Sequence, residues 1–409
     1  MMDRRKIIQL IILAGILAFY LMMIVYISRL NVEDFVIFYG SAENYYDGKN
    51  IYTPIPIEKY AEIPLEIEPL LKIKSYYPNL NPPFLTLIFL PFPLLKLPHA
   101  FLVWSVFSLL LGLISAQLIE KYMRIYKTDN RSSFLTAIML FAFFPTMASV
   151  AEGQLTLLIL FLLTLSFWSS RSDKEPLAGI CLGLALSIKL FAGLFLLYYL
   201  VQRRYKLIAW CLGTFIAASL LALLFFGVQA YQEYLKTLGD IGWYSLSWNA
   251  SLMGYFTRLF GGLAYTGVMD HPEFTRIIVY SLDVILMAIL VWVTWPRYTI
   301  NQPARLDMGF ALTLVTMLLV SPFGWLYYFP FLIIPAILLL RISSLSRFPR
   351  LLVLFIWIAL SIWPFLPRSS VSEIYILIQL GFYTYMLVIF FALMVWSISH
   401  LRRDIVVSP

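Results

Sequence analysis

The sequence predicts an all-α integral membrane protein, a single domain over residues 1–409 that crosses a bilayer many times. Three observations predict it. Hydrophobic residues make up 61% of the 409-residue chain and charged residues 13%, with a mean hydropathy of +0.84, whereas a soluble domain carries about a quarter charged residues. Apolar runs of roughly 17–25 residues, the length that spans hydrocarbon as a helix, recur along the chain. Lys and Arg gather in the short segments between alternate runs. The net charge of +8 therefore reads as the cytoplasmic bias of membrane loops, not as a nucleic-acid-binding surface.

Taken in order, Arg4, Arg5 and Lys6 hold the N-terminus in the cytoplasm and residues 7–28 form the first span. That run is too long for a signal-peptide core and no small-residue cleavage site follows, so it is expected to be retained. Residues 30–83 then form an extracytoplasmic loop. Pro54, Pro56, Pro78, Pro82 and Pro83 break its regular structure. Between them Glu58, Glu62, Glu66 and Glu68 punctuate an amphipathic stretch suited to lying on the membrane surface.

Residues 84–97, interrupted by Pro91 and Pro93, are short for a span and suit a helix buried at the interface. Residues 100–120 cross inward to Lys121 and Arg124. Residues 133–150 and 155–170 pass out and back around Glu152-Gly153-Gln154. The run 177–202 lies between two basic clusters and reads as a hairpin of two short helices bending near Lys189. Residues 207–226 lead to a second extracytoplasmic loop, 228–272, containing a short apolar piece. Residues 274–295, 306–320, 325–340, 351–366 and 374–399 complete about twelve spans with both termini cytoplasmic.

Nearly every polar residue with no evident structural reason falls on the outer side. Residues 31–52 carry Glu33, Asp34, Glu43 and Asp47 interleaved with aromatics, just past the first span. Asp34 suits a general base, because a partly dehydrated carboxylate can take the proton from a weakly nucleophilic hydroxyl. Glu33 competes for that role, projecting about 100° away on a helix. Asp34 also reads as the N-cap of a helix beginning at Phe35. The cations placed to hold a phosphate are Lys49, Lys59, Lys72, Lys74, Lys189, Lys236, Arg258 and Arg276. Lys189 stands out, since an ionisable group in an apolar hairpin is costly, although a snorkelling lysine has the same signature. Arg258 follows a polar turn and can fork onto a phosphate. His99, His271 and His400 are dispersed, and Cys181 and Cys211 sit in apolar runs as packing residues. No metal or other cofactor is expected.

Asp34, Tyr39, Ala42, Gly48 and Tyr52, followed by Tyr77-x-Pro, resemble the first-loop pattern of the GT-C superfamily of membrane glycosyltransferases, and more narrowly of glycosyltransferase family 87. Gly153-Gln154 resembles that family's glycine–glutamine turn and Lys189 its lysine after a small-residue helix. Asn249 and Ser251 resemble its Asn-x-Ser element, and Ser321-Pro322 with Trp325 its Ser-Pro-x-x-Trp motif. The matches follow in family order over residues 30–330.

The resemblance implies a GT-C fold whose first extracytoplasmic loop carries short amphipathic helices. It further implies an inverting, metal-independent hexosyltransferase in a cell membrane. Such an enzyme moves a sugar, usually mannose, from a polyprenyl-phosphate donor to a lipid or glycan acceptor on the extracytoplasmic face, with no nucleic-acid partner. Asp34 then maps onto the catalytic aspartate. Lys189, Arg258, Gln154, Asn249, Ser251, Trp325, Tyr327, Tyr328 and Tyr39 are expected to bind donor phosphate or substrate. Aromatics at the outer interface usually form a belt, but sugar rings also stack on them. One departure concerns the acceptor: where the family commonly has histidine after Ser-Pro-x-x-Trp, this chain has Tyr327 and Tyr328. Tyrosine keeps hydrogen bonding but cannot become cationic near neutral pH.

The competing class is a multi-span transporter or lipid flippase, with Lys189, Asp283 and Asp307 as relay groups. Against it stand the acids gathered outside the membrane and the lack of a visible inverted repeat. Asp307 is better explained as lying near a cytoplasmic helix end with Arg305 beside it.

Overall fold

In hydrocarbon every backbone polar group must be satisfied within its own segment, so apolar runs fold as helices. The computed structural model describes residues 4–29, 33–60, 75–76, 78–126, 134–240, 244–261, 272–296, 302–342, 347–362 and 373–401. Among these, helices are the regular structure and no strand forms. In chain order the α-helices are α1 (Arg4–Ile27), α2 (Glu33–Tyr46), α3 (Phe84–Phe89), α4 (Leu97–Met123), α5 (Leu135–Phe141) and α6 (Phe144–Ala151). They continue as α7 (Thr156–Arg171), α8 (Glu175–Ile188), α9 (Leu194–Val201), α10 (Tyr205–Gly239), α11 (Leu252–Gly261) and α12 (Pro272–Val293). The last are α13 (Pro303–Val320), α14 (Ile333–Arg341), α15 (Arg347–Ile362) and α16 (Glu373–Ser399).

Six of these, α1, α4, α10, α12, α13 and α16, are long and apolar enough to cross a membrane, and seven if α6 and α7 count together. The hydropathy pattern predicts about twelve. The difference arises because several apolar runs are divided. The run 133–150 breaks between α5 and α6 just ahead of Pro145, which sits in the first turn of α6, where a missing N–H costs nothing. The run 325–340 starts as a 3-10 helix, Leu326–Leu332, with Pro330 inside it, and only then becomes α14.

The segment 228–272 is also more helical than its pattern predicts. α10 kinks at Gly227 and continues to Gly239, and α11 follows. Glu62, Glu66, Glu68, Lys72, Lys74, Tyr77 and His271, named above, lie outside the described residues, as does the side chain of Glu33.

Burial sorts the helices. α13 is the most enclosed of the six, with 78% of its apolar window buried, and it packs against α9, α12, α14 and α16. α1, α10 and α12 bury only 17% each and present side chains such as Met22 and Leu224 outward. An apolar exterior on that scale marks a surface facing lipid. The chain is a multi-pass membrane protein.

α8 lies tightly on α10. Cβ atoms added at Gly179 and Gly183 would sit 2.4 Å from the Leu207 carbonyl oxygen and 2.5 Å from that of Cys211. Two small residues four apart are what allow helix backbones to touch. Beyond α8 the chain turns at Lys189, whose φ of −144° and ψ of 119° are extended, and α9 returns. The ends of this hairpin meet where Arg204 Nη1 lies 3.0 Å from Glu175 Oε1.

Two buried ion pairs lock other helices. Arg341 Nη2 lies 3.0 Å from Glu120 Oε1, and Thr136 donates to Glu120 Oε2 at 2.6 Å. Asp307 pairs with Arg171 Nε at 2.9 Å and accepts from Tyr122 at 2.7 Å and from Tyr126. Beyond the neighbouring Arg305 that the sequence places beside it, Asp307 thus has an ion partner in Arg171 on α7.

The first loop is built around α2. Phe35, Val36, Ile37, Phe38 and Tyr39 are all buried. The Phe35 ring packs edge-on against Phe101, Phe89 and Phe92, so the start of α2 has a fixed seat. Two of the four acids are neutralised locally. Lys59 pairs with Glu43 at 2.7 Å and Lys49 with Asp47 at 2.9 Å, while Tyr60 donates to Glu43.

Candidate active site

Gly153 has a φ of +62°, a conformation that glycine adopts without strain. A Cβ there would come within 2.7 Å of Phe35 Cβ. This turn swings α7 through 120° from α6 and brings Gln154 against the start of α2. Two bonds fix it: Trp104 Nε1 donates to the Gly153 carbonyl at 2.8 Å, and Thr156 Oγ1 donates to the Tyr327 carbonyl at 2.7 Å.

Gln154 Nε2 donates to Asp34 Oδ2. Because α2 begins at Glu33, Asp34 stands in the first helical turn and not in the capping position ahead of Phe35. A carboxylate there is favoured by the helix dipole. Burial pushes the Asp34 carboxyl above the ordinary carboxylate range, while the Gln154 bond and the positive charge of Lys189 pull the other way.

These residues share one cavity of about 330 Å³, walled by Asp34, Glu152, Gln154, Lys189, Trp325 and Tyr327, with Phe38, Asn81 and Trp248 among the others. Lys189 supplies the one cation among the described lining residues. The hairpin bend delivers it there, and its ammonium stands 5.5 Å from the centroid of the Tyr328 ring, an attractive arrangement.

Of the ten residues singled out from sequence, the cavity wall collects Asp34, Gln154, Lys189, Trp325 and Tyr327. Tyr328 lies behind Lys189. The other four are absent from the described lining and brace it instead. Tyr39 donates to the Leu95 carbonyl at 2.9 Å, holding α2 against the start of α4. Arg258 is buried, and its Nη1 donates to the carbonyl of Leu246, itself a lining residue, at 2.8 Å. Asn249 is fully buried: its Nδ2 donates to the Tyr244 and Pro322 carbonyls at 3.0 and 2.9 Å. Its Oδ1 accepts from the amides of Gly324 at 3.0 Å and Ser251 at 3.2 Å. Ser251 Oγ donates to the Pro322 carbonyl at 3.1 Å. An Asx-type clasp of this kind is a local alternative to regular structure, and here it fastens residues 244–251 to 322–326.

Sequence reasoning passed over Glu152, Asn81 and Trp248 as site residues. Glu152 had a visible signal, an acid at a turn beside Gly153 and Gln154. Asn81 had a weaker one, a polar residue bracketed by prolines. Its place is set by Asn79, whose Oδ1 accepts from the Asn81 amide at 3.0 Å and its Nδ2 at 2.8 Å, and by Tyr52, which donates to the Asn81 carbonyl at 2.6 Å.

The arrangement joins an oriented carboxylate, an ammonium and aromatic walls in a confined space. It suits removal of a proton from a hydroxyl together with stabilisation of an anion nearby. Among the described residues no three His, Cys, Asp or Glu side chains gather as metal ligands.

The family model described as glycosyltransferase family 87 matches residues 79–322; Asp34 lies ahead of that stretch. Among relatives, the polyprenol-phosphate-mannose-dependent alpha-(1-2)-phosphatidylinositol mannoside mannosyltransferase of Mycobacterium tuberculosis is 23% identical over 285 residues, covering 66% of this chain and 63% of the relative. The polyprenol-phosphate-mannose-dependent alpha-(1-2)-phosphatidylinositol pentamannoside mannosyltransferase of Mycolicibacterium smegmatis is 24% identical over 259 residues, covering 63% of this chain and 59% of the relative. The matches span less than two thirds of these relatives' lengths. No solved structure matches the chain.

Proposed function

The chain belongs to glycosyltransferase family 87, and from that premise we propose that it transfers a sugar, mannose foremost, from a polyprenyl-phosphate donor to an acceptor hydroxyl on the extracytoplasmic side of the membrane. The observation that carries this reading is the meeting of Asp34, Gln154 and Lys189 on one cavity. The names of the relatives, which specify polyprenol-phosphate-mannose, support the donor.

In this reading the donor's phosphate faces the Lys189 ammonium and its tail runs between helices. Asp34 takes the proton from the acceptor hydroxyl as that oxygen attacks the anomeric carbon from the side opposite the phosphate. The new carbon–oxygen bond forms, the bond to phosphate breaks, and its electron pair leaves on the polyprenyl phosphate. That group departs as an anion, so charge stabilisation by Lys189 takes the place of a general acid. A β-linked donor gives an α-glycoside. Gln154 orients Asp34 and so reduces the conformational cost of reaching the reactive geometry. No step requires a metal.

The test is transfer of radiolabelled mannose from polyprenyl-phosphate-mannose to membrane lipid or glycan acceptors by purified protein in EDTA. Asp34→Asn is expected to lower transfer by about 10²–10⁴-fold while the variant melts like the wild type. Undiminished transfer by Asp34→Asn would remove Asp34 as the base. A folded wild-type protein that moves no lipid-linked sugar would return the chain to the transporter class.

A further inference from the structure

Four aromatic rings leave the cavity in file. Phe323, Trp325 and Tyr327 lie two residues apart along a stretch that turns at Pro322-Phe323, is extended at Trp325 (φ −61°, ψ 145°) and enters the 3-10 helix at Leu326. Tyr327 stacks with Trp325 at a centroid distance of 5.9 Å and an interplanar angle of 28°. Trp325 stacks with Phe323 at 5.6 Å and 13°, and Phe323 with Tyr244 at 5.1 Å and 18°. The inner two rings line the cavity that holds Asp34. The outermost, Tyr244, belongs to the segment after α10. Tyr244, Phe323 and Trp325 are only half-buried, although rings of this size release most free energy when fully covered.

The file is rigidly mounted. The Asn249 clasp holds the backbone on both sides of it, Ala250 N donates to the Gly324 carbonyl at 2.9 Å, and Leu326 N donates to the Trp248 carbonyl at 2.8 Å. Gly324 leaves no room for a side chain, since a Cβ would stand 2.1 Å from the Leu318 carbonyl oxygen. A platform ordered in advance loses little freedom when a ligand arrives.

We propose that this file is an acceptor subsite for a glycan of two or more neutral sugars, with the terminal sugar reaching Asp34 and the preceding ones lying along Trp325, Phe323 and Tyr244. The assignment rests on the transferase reading above. A sugar presents a C–H face that packs on aromatic carbon and hydroxyls that stay hydrated, which matches the half-buried rings of Trp325, Phe323 and Tyr244, the last bearing a phenol. The rings carry no charge of their own to pair with a phosphate. The inner end opens on the Asp34 and Glu152 carboxyls and the Gln154 amide, partners for hydroxyls and poor neighbours for a hydrocarbon tail.

Binding and transfer are measured separately with full-length protein in nanodiscs, using methyl α-mannoside and a linear mannotriose. In saturation-transfer NMR titrations the trisaccharide is expected to bind roughly three- to tenfold more tightly than the monosaccharide, the range for one or two added ring contacts. Tyr244→Ala and Phe323→Leu should each narrow that ratio toward one. Phe323→Leu retains apolar volume should Tyr244→Ala fail to fold. Tyr205→Ala, exposed at the start of α10, should leave the ratio as it is. Equal binding of the two sugars by the wild type, a ratio unmoved by both file variants, or tighter binding of a peptide or a sugar-free lipid alcohol would overturn the proposal. Length-dependent binding without any mannosyl transfer would sink the transferase reading and leave the glycan file standing; transfer with no dependence on length would do the reverse.

Discussion

Gln154 donates its side-chain Nε2–H to Oδ2 of Asp34, joining residues 120 positions apart across the first loop and the α6–α7 turn. A donor to the charged form of a carboxyl favours that form and fixes its direction. In a buried site, where desolvation opposes ionisation, the bond favours the carboxylate form of Asp34.

The pH dependence of transfer should show this. As the proposed base Asp34 must be unprotonated, and burial raises its pKa. Activity in kcat/KM is therefore expected to fall as pH drops through a value above the ordinary carboxylate range of about 3.9. Gln154→Leu removes a group that favours the carboxylate, so this acidic limb should move to higher pH and kcat should fall. A limb unchanged in the variant would show that Gln154 does not act through Asp34.

Lys189 is the described cation on the cavity wall, and its loss should be felt by the donor more than by the acceptor. A hydrogen bond to a charged group contributes about 1.5–3 kcal/mol, so Lys189→Met should weaken the donor's kcat/KM by roughly 10–150-fold. Lys189→Arg should recover part of it. Equal losses for donor and acceptor KM would point instead to collapse of the hairpin bend.

Asn249 is expected to be a stability residue. Asn249→Ala takes the side-chain partner from the amide N–H groups of Ser251 and Gly324 and from the Tyr244 carbonyl, while Pro322 keeps Ser251 Oγ, a loss of about 3 kcal/mol. A fall in detergent melting temperature checks this. An unshifted melt combined with a raised KM would place the side chain on substrate.

The Asp307–Arg171 pair predicts a different pattern. Arg171→Met leaves a buried carboxylate beside Tyr122 and Tyr126 without its counter-ion and should cost about 3–5 kcal/mol, whereas adding Asp307→Leu should restore much of it. Thermal melts of the single and double variants decide; additive losses would mean that the pair is not a unit.

What was legible in the sequence is what depends on local chemistry. Apolar composition alone makes a helical membrane protein, because hydrocarbon leaves the backbone no other partner. The hairpin at Lys189 was readable because basic clusters bracket an apolar run too short to cross twice. The family motifs marked the Gly153–Gln154 turn, and the acids after α1 marked the first loop. The span count was less legible, since hydropathy averages over a run and does not register where Pro145 or Pro330 divides it.

Tertiary structure decided which polar residues face the cavity. Asn249 and Gln154 are alike in chemistry and both belong to motifs, yet one exhausts its hydrogen bonds on the chain and the other reaches Asp34. The difference lies in partners 75 and 120 residues away, and only packing determines such neighbours. Glu43 and Asp34 present the same contrast: both are acids of one helix, but Lys59 meets the first and the cavity meets the second. Composition determined that the chain folds as membrane helices; the long-range contacts of α2, the α6–α7 turn and the 322–327 stretch decided where its chemistry sits.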